Sequence, residues 1–178
     1  MKSLLFDKRH LKEYLTYGTI AGILQVVPTL LYLHSALYQN SALPFLGTAL
    51  FMFVIMAYSL KLTRRKPEYK STWMMIIAGH MAIAVGIIVA TIATFLLCVI
   101  YIPGFMSGDS VDTFIKDTPS EFNRNNTGTL LLLFITATGG NFGVGSFISI
   151  LVSYVAKFNQ TKDKTPREFQ EPSPATLK

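Results

Sequence analysis

Charge is what this 178-residue chain lacks over most of its length. Asp, Glu, Lys and Arg make up 15% of the residues, against about a quarter in an ordinary soluble domain. None falls within residues 15–38, 45–60 or 72–102, and the one exception in 129–158 is Lys157, next to its end. A charged side chain at the centre of a spanning helix costs about 2.5–3.5 kcal/mol on insertion scales, so a chain keeps one there mainly for function. Its absence argues against a carboxylate proton relay, an ion-coupled carrier within one protomer, and an intramembrane enzyme. No catalytic residue is expected.

Cysteine is nearly absent too. Cys98 is the only one and lies inside the third apolar stretch. No intramolecular disulfide and no CxxC zinc or redox pair can form, and Cys98 reads as a small buried hydrophobe. The first fourteen residues are too mixed for a secretory signal, and no small-residue cleavage site follows, so the first span is expected to be retained. Neither myristoylation at Met1-Lys2 nor prenylation at the final PATLK is expected. The glycine-rich run from Thr138 to Phe147 has no GK[ST] ending and no preceding strand, so it is no phosphate loop. It reads as a helix-packing segment, with local unwinding around Asn141 as the alternative. No cofactor and no metal site is expected.

What is present is four apolar stretches long enough to cross a bilayer as helices. The basic residues are divided unequally between their two ends. Fourteen of sixteen precede the first stretch, join the second to the third, or follow the fourth. Only Lys116 and Arg124 lie in the connection between the third and fourth. That asymmetry predicts an all-α transmembrane four-helix bundle with both termini cytoplasmic. Residues 1–14 form a basic cytoplasmic N-terminus, 15–158 the membrane domain with spans at about 15–38, 45–60, 72–102 and 129–158, and 159–178 a disordered tail. The basic residues flank spans and form no stripe with aromatics, so anionic lipid headgroups are the expected partners and nucleic acid is not. In the outer connection Val111, Phe114, Ile115 and Thr118 recur at helical spacing after Ser110, which predicts a short amphipathic surface helix.

The spans contain histidines, amides and small residues. His34 and His80 lie about 28 Å and about 12 Å from one membrane face, too far apart in depth to hold one haem. Gln25 and Asn141 both fall near the midplane, where a reciprocal amide hydrogen bond between spans one and four would satisfy them. Lining a polar path is the functional alternative, with His80 as a further candidate. Small residues form ridges at four-residue steps: Gly18 and Gly22; Ala78, Ala82, Gly86 and Ala90; Gly139 and Gly143. Such ridges let helix backbones approach closely, which drives association where lipid removes the hydrophobic incentive. Three ridges in four spans predict that at least one meets another protein.

The order of Tyr17-Gly18 and Gly22, the basic Arg64-Arg65-Lys66, a long small-residue third span ending at Pro103, a polar outer segment and a glycine-rich fourth span resembles an uncharacterised bacterial four-span family of the inner membrane. The resemblance covers residues 14–158 and implies that location, with no catalytic residues. Together these features predict a non-enzymatic protein that works by helix-helix association, as an accessory subunit or a homo-oligomer. The alternative is a small transporter or channel with a polar path between protomers.

Overall fold

The computed structural model describes residues 8–64, 72–107, 114–117 and 128–162, with side chains from 10 onward and to 156. The described residues form four long helical spans, each apolar and long enough to cross a membrane. Helix α1 is Lys8–Ser35, α2 is Leu43–Thr63 and α3 is Thr72–Tyr101. The fourth span is built from α4, Gly128–Ile135, a wide π-helical turn, Thr136–Gly140, and α5, Asn141–Lys162. These residues fit a multi-pass membrane protein. Large apolar side chains such as Ile88, Leu131 and Phe147 stand exposed around the bundle, where lipid and not water would surround them.

The helices begin and end differently from the apolar stretches. α1 starts seven residues before Leu15 and stops at Ser35, so its first two turns are charged. Hydrogen bonding, not hydropathy, sets a helix start, and Glu13 and Tyr14 pack as helix residues. α1 runs unbroken through Pro28. α5 reaches Lys162, so the first residues of the expected tail are helical; 163–178 lie outside the described residues.

The turn between α1 and α2 is tight. Ala36 adopts φ 50°, its N–H donates to Tyr32 O at 3.1 Å, a short 3-10 turn Tyr38–Asn40 follows, and Pro44 occupies the first turn of α2. This corner carries a finding the sequence pattern did not predict. Lys116 N–H donates to Ala36 O at 2.8 Å and Tyr38 N–H donates to Lys116 O at 3.1 Å, a short parallel bridge. Phe114–Asp117 therefore do not form the expected amphipathic helix. Asp117 turns out at φ 60°, and Ile115 is buried beside Tyr32, Leu33, Cys98, Ile102 and Leu133. The helical spacing arises because a plug residue and its neighbours are apolar for tertiary reasons. Val111 and Thr118 lie outside the described residues.

Around the bundle the order is α1, α2, α5, α3. α2 and α3 each pack against both α1 and the fourth span, which puts α1 and α5 on opposite corners. Two apolar clusters fill the interior. The one nearer the chain ends contains Tyr14, Ala21, Phe51, Ile55, Tyr58, Ala82 and Ile83, and the distal one contains the residues around Ile115. At the end bearing the N-terminus, Lys61 Nζ lies 3.5 Å from Glu13 Oε1 and 4.9 Å above the Tyr17 ring, which leans on Tyr58 at 5.0 Å. Lys61 is thus tied to α1 and does not simply extend into solvent. A partly exposed pair of this kind contributes about 0.2–1 kcal/mol. Glu13→Gln is expected to lower the thermal midpoint by only a few degrees, and raising salt should shrink the difference.

Candidate functional site

The small-residue ridges separate into two groups. A Cβ built on Gly18 would lie 2.5 Å from Ala82 O and 2.8 Å from Val85 Cβ; one on Gly22 would lie 2.7 Å from Gly86 O and 2.9 Å from Val89 Cβ. The first ridge therefore meets the third span backbone to backbone, with Gly18 set against Ala82 and Gly22 against Gly86, which shows that α1 and α3 run parallel. Ala78, Ala82, Gly86 and Ala90 are all buried, and Gly86 also receives the Phe51 ring of α2 at 2.6 Å from its ideal Cβ. Gly79 faces the Ser149 hydroxyl of α5, and Gly47 faces the Gln25 carbonyl of α1. Nothing in the sequence singles these two glycines out, because neither stands in a small-residue repeat.

Gly139 and Gly143 behave oppositely. Both are exposed; among the described residues nothing lies within 4 Å of a Cβ on Gly143, and only Ile135 of the same span, at 3.7 Å, approaches one on Gly139. The notch between them is flanked by the exposed side chains of Ile135, Phe142 and Phe147. The extra residue of the π-helical turn sets this phase. The buried stripe after it is Asn141, Gly145, Ser149 and Ser153, which leaves Gly139 and Gly143 facing outward.

The amides do not meet as expected. Gln25 and Asn141 are both fully buried, but they sit on the diagonal helices α1 and α5, and each bonds within its own span. Gln25 Nε2 donates to Thr29 Oγ1 at 3.4 Å, and Asn141 Nδ2 donates to Ala137 O at 3.0 Å. Similar depth does not make two side chains bond directly when their helices face each other across the bundle diagonal. Their oxygens, Gln25 Oε1 and Asn141 Oδ1, have no donor among the described residues. Since both residues lie inside one bundle, neither faces a neighbouring protomer.

His80 is separate from both. It is half-buried on α3, its Nδ1 donates to Ile76 O at 2.8 Å, and its ring stands edge-on to Phe142 at 6.3 Å. It borders an open apolar groove of about 350 Å³ lined by Trp73, Ile76, Ile77 and Met81. His80 therefore connects through Phe142 to the exposed glycine face and not to the buried amides. His34, at the far end of α1, lies edge-on to Tyr101 at 6.4 Å.

Hydroxyls complete the polar interior. Thr48 Oγ1 donates to Thr136 O at 3.4 Å, and Thr136 Oγ1 donates to Leu132 O and Leu133 O at 2.9 Å each. These bonds brace the turn before Asn141. Its signal in the sequence is the cluster Thr136, Thr138, Gly139 and Gly140, low in helix propensity and dense in side-chain hydroxyls. Among the described residues, no three His, Cys, Asp or Glu side chains come together in a way that could hold a metal. The arrangement offers surfaces for packing and polar groups for hydrogen bonding. No family model, no curated protein and no solved structure matches this chain.

Proposed function

We propose that the chain is a non-enzymatic multi-pass protein of the bacterial inner membrane, with both termini cytoplasmic, that works by helix-helix association. It acts as an accessory subunit of a membrane complex or as a homo-oligomer. The observation that carries this is the Gly139/Gly143 notch: the other small-residue ridges are each occupied by a helix of the same chain, and among the described residues no other helix approaches this one. A four-residue glycine step on an exposed apolar face is a surface that another helix backbone can approach. The neighbouring Phe142 and His80 widen that face onto α3. The basic asymmetry supports the orientation, and it places anionic headgroups against the basic end.

Single-molecule photobleaching in native vesicles, with native mass spectrometry after gentle extraction, tests the reading. The wild type should run as an oligomer or with a stoichiometric partner. Gly143→Leu should weaken that association about tenfold, the scale of a small-residue interface worth 1–2 kcal/mol. Its thermal midpoint should not move, because Gly143 supports nothing within the bundle. A monomer without a partner at every protein-to-lipid ratio would sink the proposal.

A further inference from the structure

Buried polar atoms without a partner are few in folded proteins, and each calls for an explanation. Gln25 Oε1, Asn141 Oδ1 and Thr94 Oγ1 belong to fully buried residues and have no hydrogen-bond partner among the described residues. They lie close in depth. Gly22 sets Gly86 and Val89 beside it, so Gln25, three residues on, falls between Val89 and Thr94 along the parallel α3. Gly145 meets Ile83, so Asn141, one turn earlier on the antiparallel α5, falls near Ile87. From α2, Gly47 touches the Gln25 backbone, and the next residue, Thr48, bonds Thr136 in the turn before Asn141. The three atoms thus occupy one layer about one or two turns thick.

Chemistry then specifies the occupant. In both amides the nitrogen already donates, to Thr29 and to the Ala137 carbonyl, so the free atoms are the carbonyl oxygens and they require a donor. The described acidic residues are Glu13, at the opposite end, and Asp117, on the distal corner. A full cationic charge in this layer would have no counter-charge, at a cost that hydrogen bonds alone do not recover. A neutral donor with two protons meets the requirement. We infer that this layer is a binding site for ordered water, hydrogen-bonded to Gln25 Oε1 and Asn141 Oδ1, with the Thr94 hydroxyl as a third contact. Toward the chain ends, Phe51, Ile55 and Ile83, all buried, close the layer off. Beyond them lies a second polar layer with the unpartnered hydroxyls of Ser59 and Ser149.

Water-edited solid-state NMR on the full chain in phospholipid vesicles, with labelled Gln, Asn and Ala, reads the site directly. Water magnetisation should reach the Gln25 and Asn141 side-chain amides at least threefold faster than the Ala82 backbone in the apolar layer. Equal build-up at all three positions would overturn the inference. So would a direct cross-peak between the two side-chain amides without water transfer, which would mean that they satisfy each other. Thr94→Val gives a second readout that needs no spectroscopy. In a dry layer, removing an unpartnered hydroxyl should raise the thermal midpoint; in a hydrated one it removes a water contact, and the midpoint should fall by several degrees. A rise would count against bound water at Thr94.

Discussion

Gly22→Leu is expected to abolish the folded bundle at ordinary growth temperature, while Gly143→Leu leaves it intact. The first added Cβ would sit 2.7 Å from the Gly86 carbonyl oxygen and 2.9 Å from Val89 Cβ. A carbonyl in a helix cannot rotate aside, so relief requires α1 and α3 to separate along a shared length that also includes Gly18 and Ala82. Overpacking a rigid site costs about 1–3 kcal/mol and sometimes more, and Leu adds three further carbons to the same clash. We expect a loss above about 3 kcal/mol, a large share of the marginal stability typical of a domain. Circular dichroism melting in mild detergent and the monodisperse fraction on size exclusion would measure it. Gly47→Leu should act similarly against the Gln25 carbonyl. If Gly22→Leu melts like the wild type, α1 and α3 do not pack as described. The contrast between Gly22 and Gly143 matters more than either value, because both glycines belong to four-residue small steps and only their surroundings differ.

That contrast also marks how far the sequence could be read. The ridge of α3 was legible: Ala78, Ala82, Gly86, Ala90 and Thr94 are all buried, because a four-residue period tracks one side of a helix. The four spans were legible from hydropathy for the same one-dimensional reason. Choice of neighbour was not. Nothing in the spacing of Gly18 and Gly22 says that they meet α3 and not α5, and on the diagonal helices α1 and α5 Gln25 and Asn141 do not bond each other despite their similar depth. The two amides show a second limit. Each had a bonding partner four residues away in its own helix, Thr29 and Ala137, and a local bond of that kind competes with any bond across helices. Phe114 and Ile115 illustrate the third, since helical spacing in a four-residue match is easily produced by one buried anchor beside a bridge. The outward turn of Gly139 and Gly143 was hidden because it depends on the change of helical pitch at Thr136–Gly140, in which Gly139 itself lies.

That change of pitch makes an unusual tolerance predictable. Each α-helical residue advances the side chain by about 100°, so deleting one from a packed span turns everything beyond it away from its partners. A π-helical turn is an α-helix carrying one extra residue. Thr136–Gly140 holds that extra residue, and the buried positions are displaced by it: Thr129 and Leu133 lead into the core before the turn, and Asn141, Gly145, Ser149 and Ser153 after it. Deleting Gly140 should let the turn relax to α-helix while α4 and α5 both keep their buried sides inward. The losses are local, chiefly the 3.4 Å contact of Thr48 with Thr136 O, and the midpoint should fall by less than about 10 °C, as expected for a change near 1–2 kcal/mol. Deleting Val89 from α3 is the control, because α3 has no wide turn to absorb the loss. It would rotate Ala90, Thr94 and Cys98 off the core, and no monodisperse protein should be recovered. Equal damage from the two deletions would show that the wide turn is held by its own contacts and not by the extra residue. Equal tolerance would show that the buried stripe of α3 does not fix its rotation.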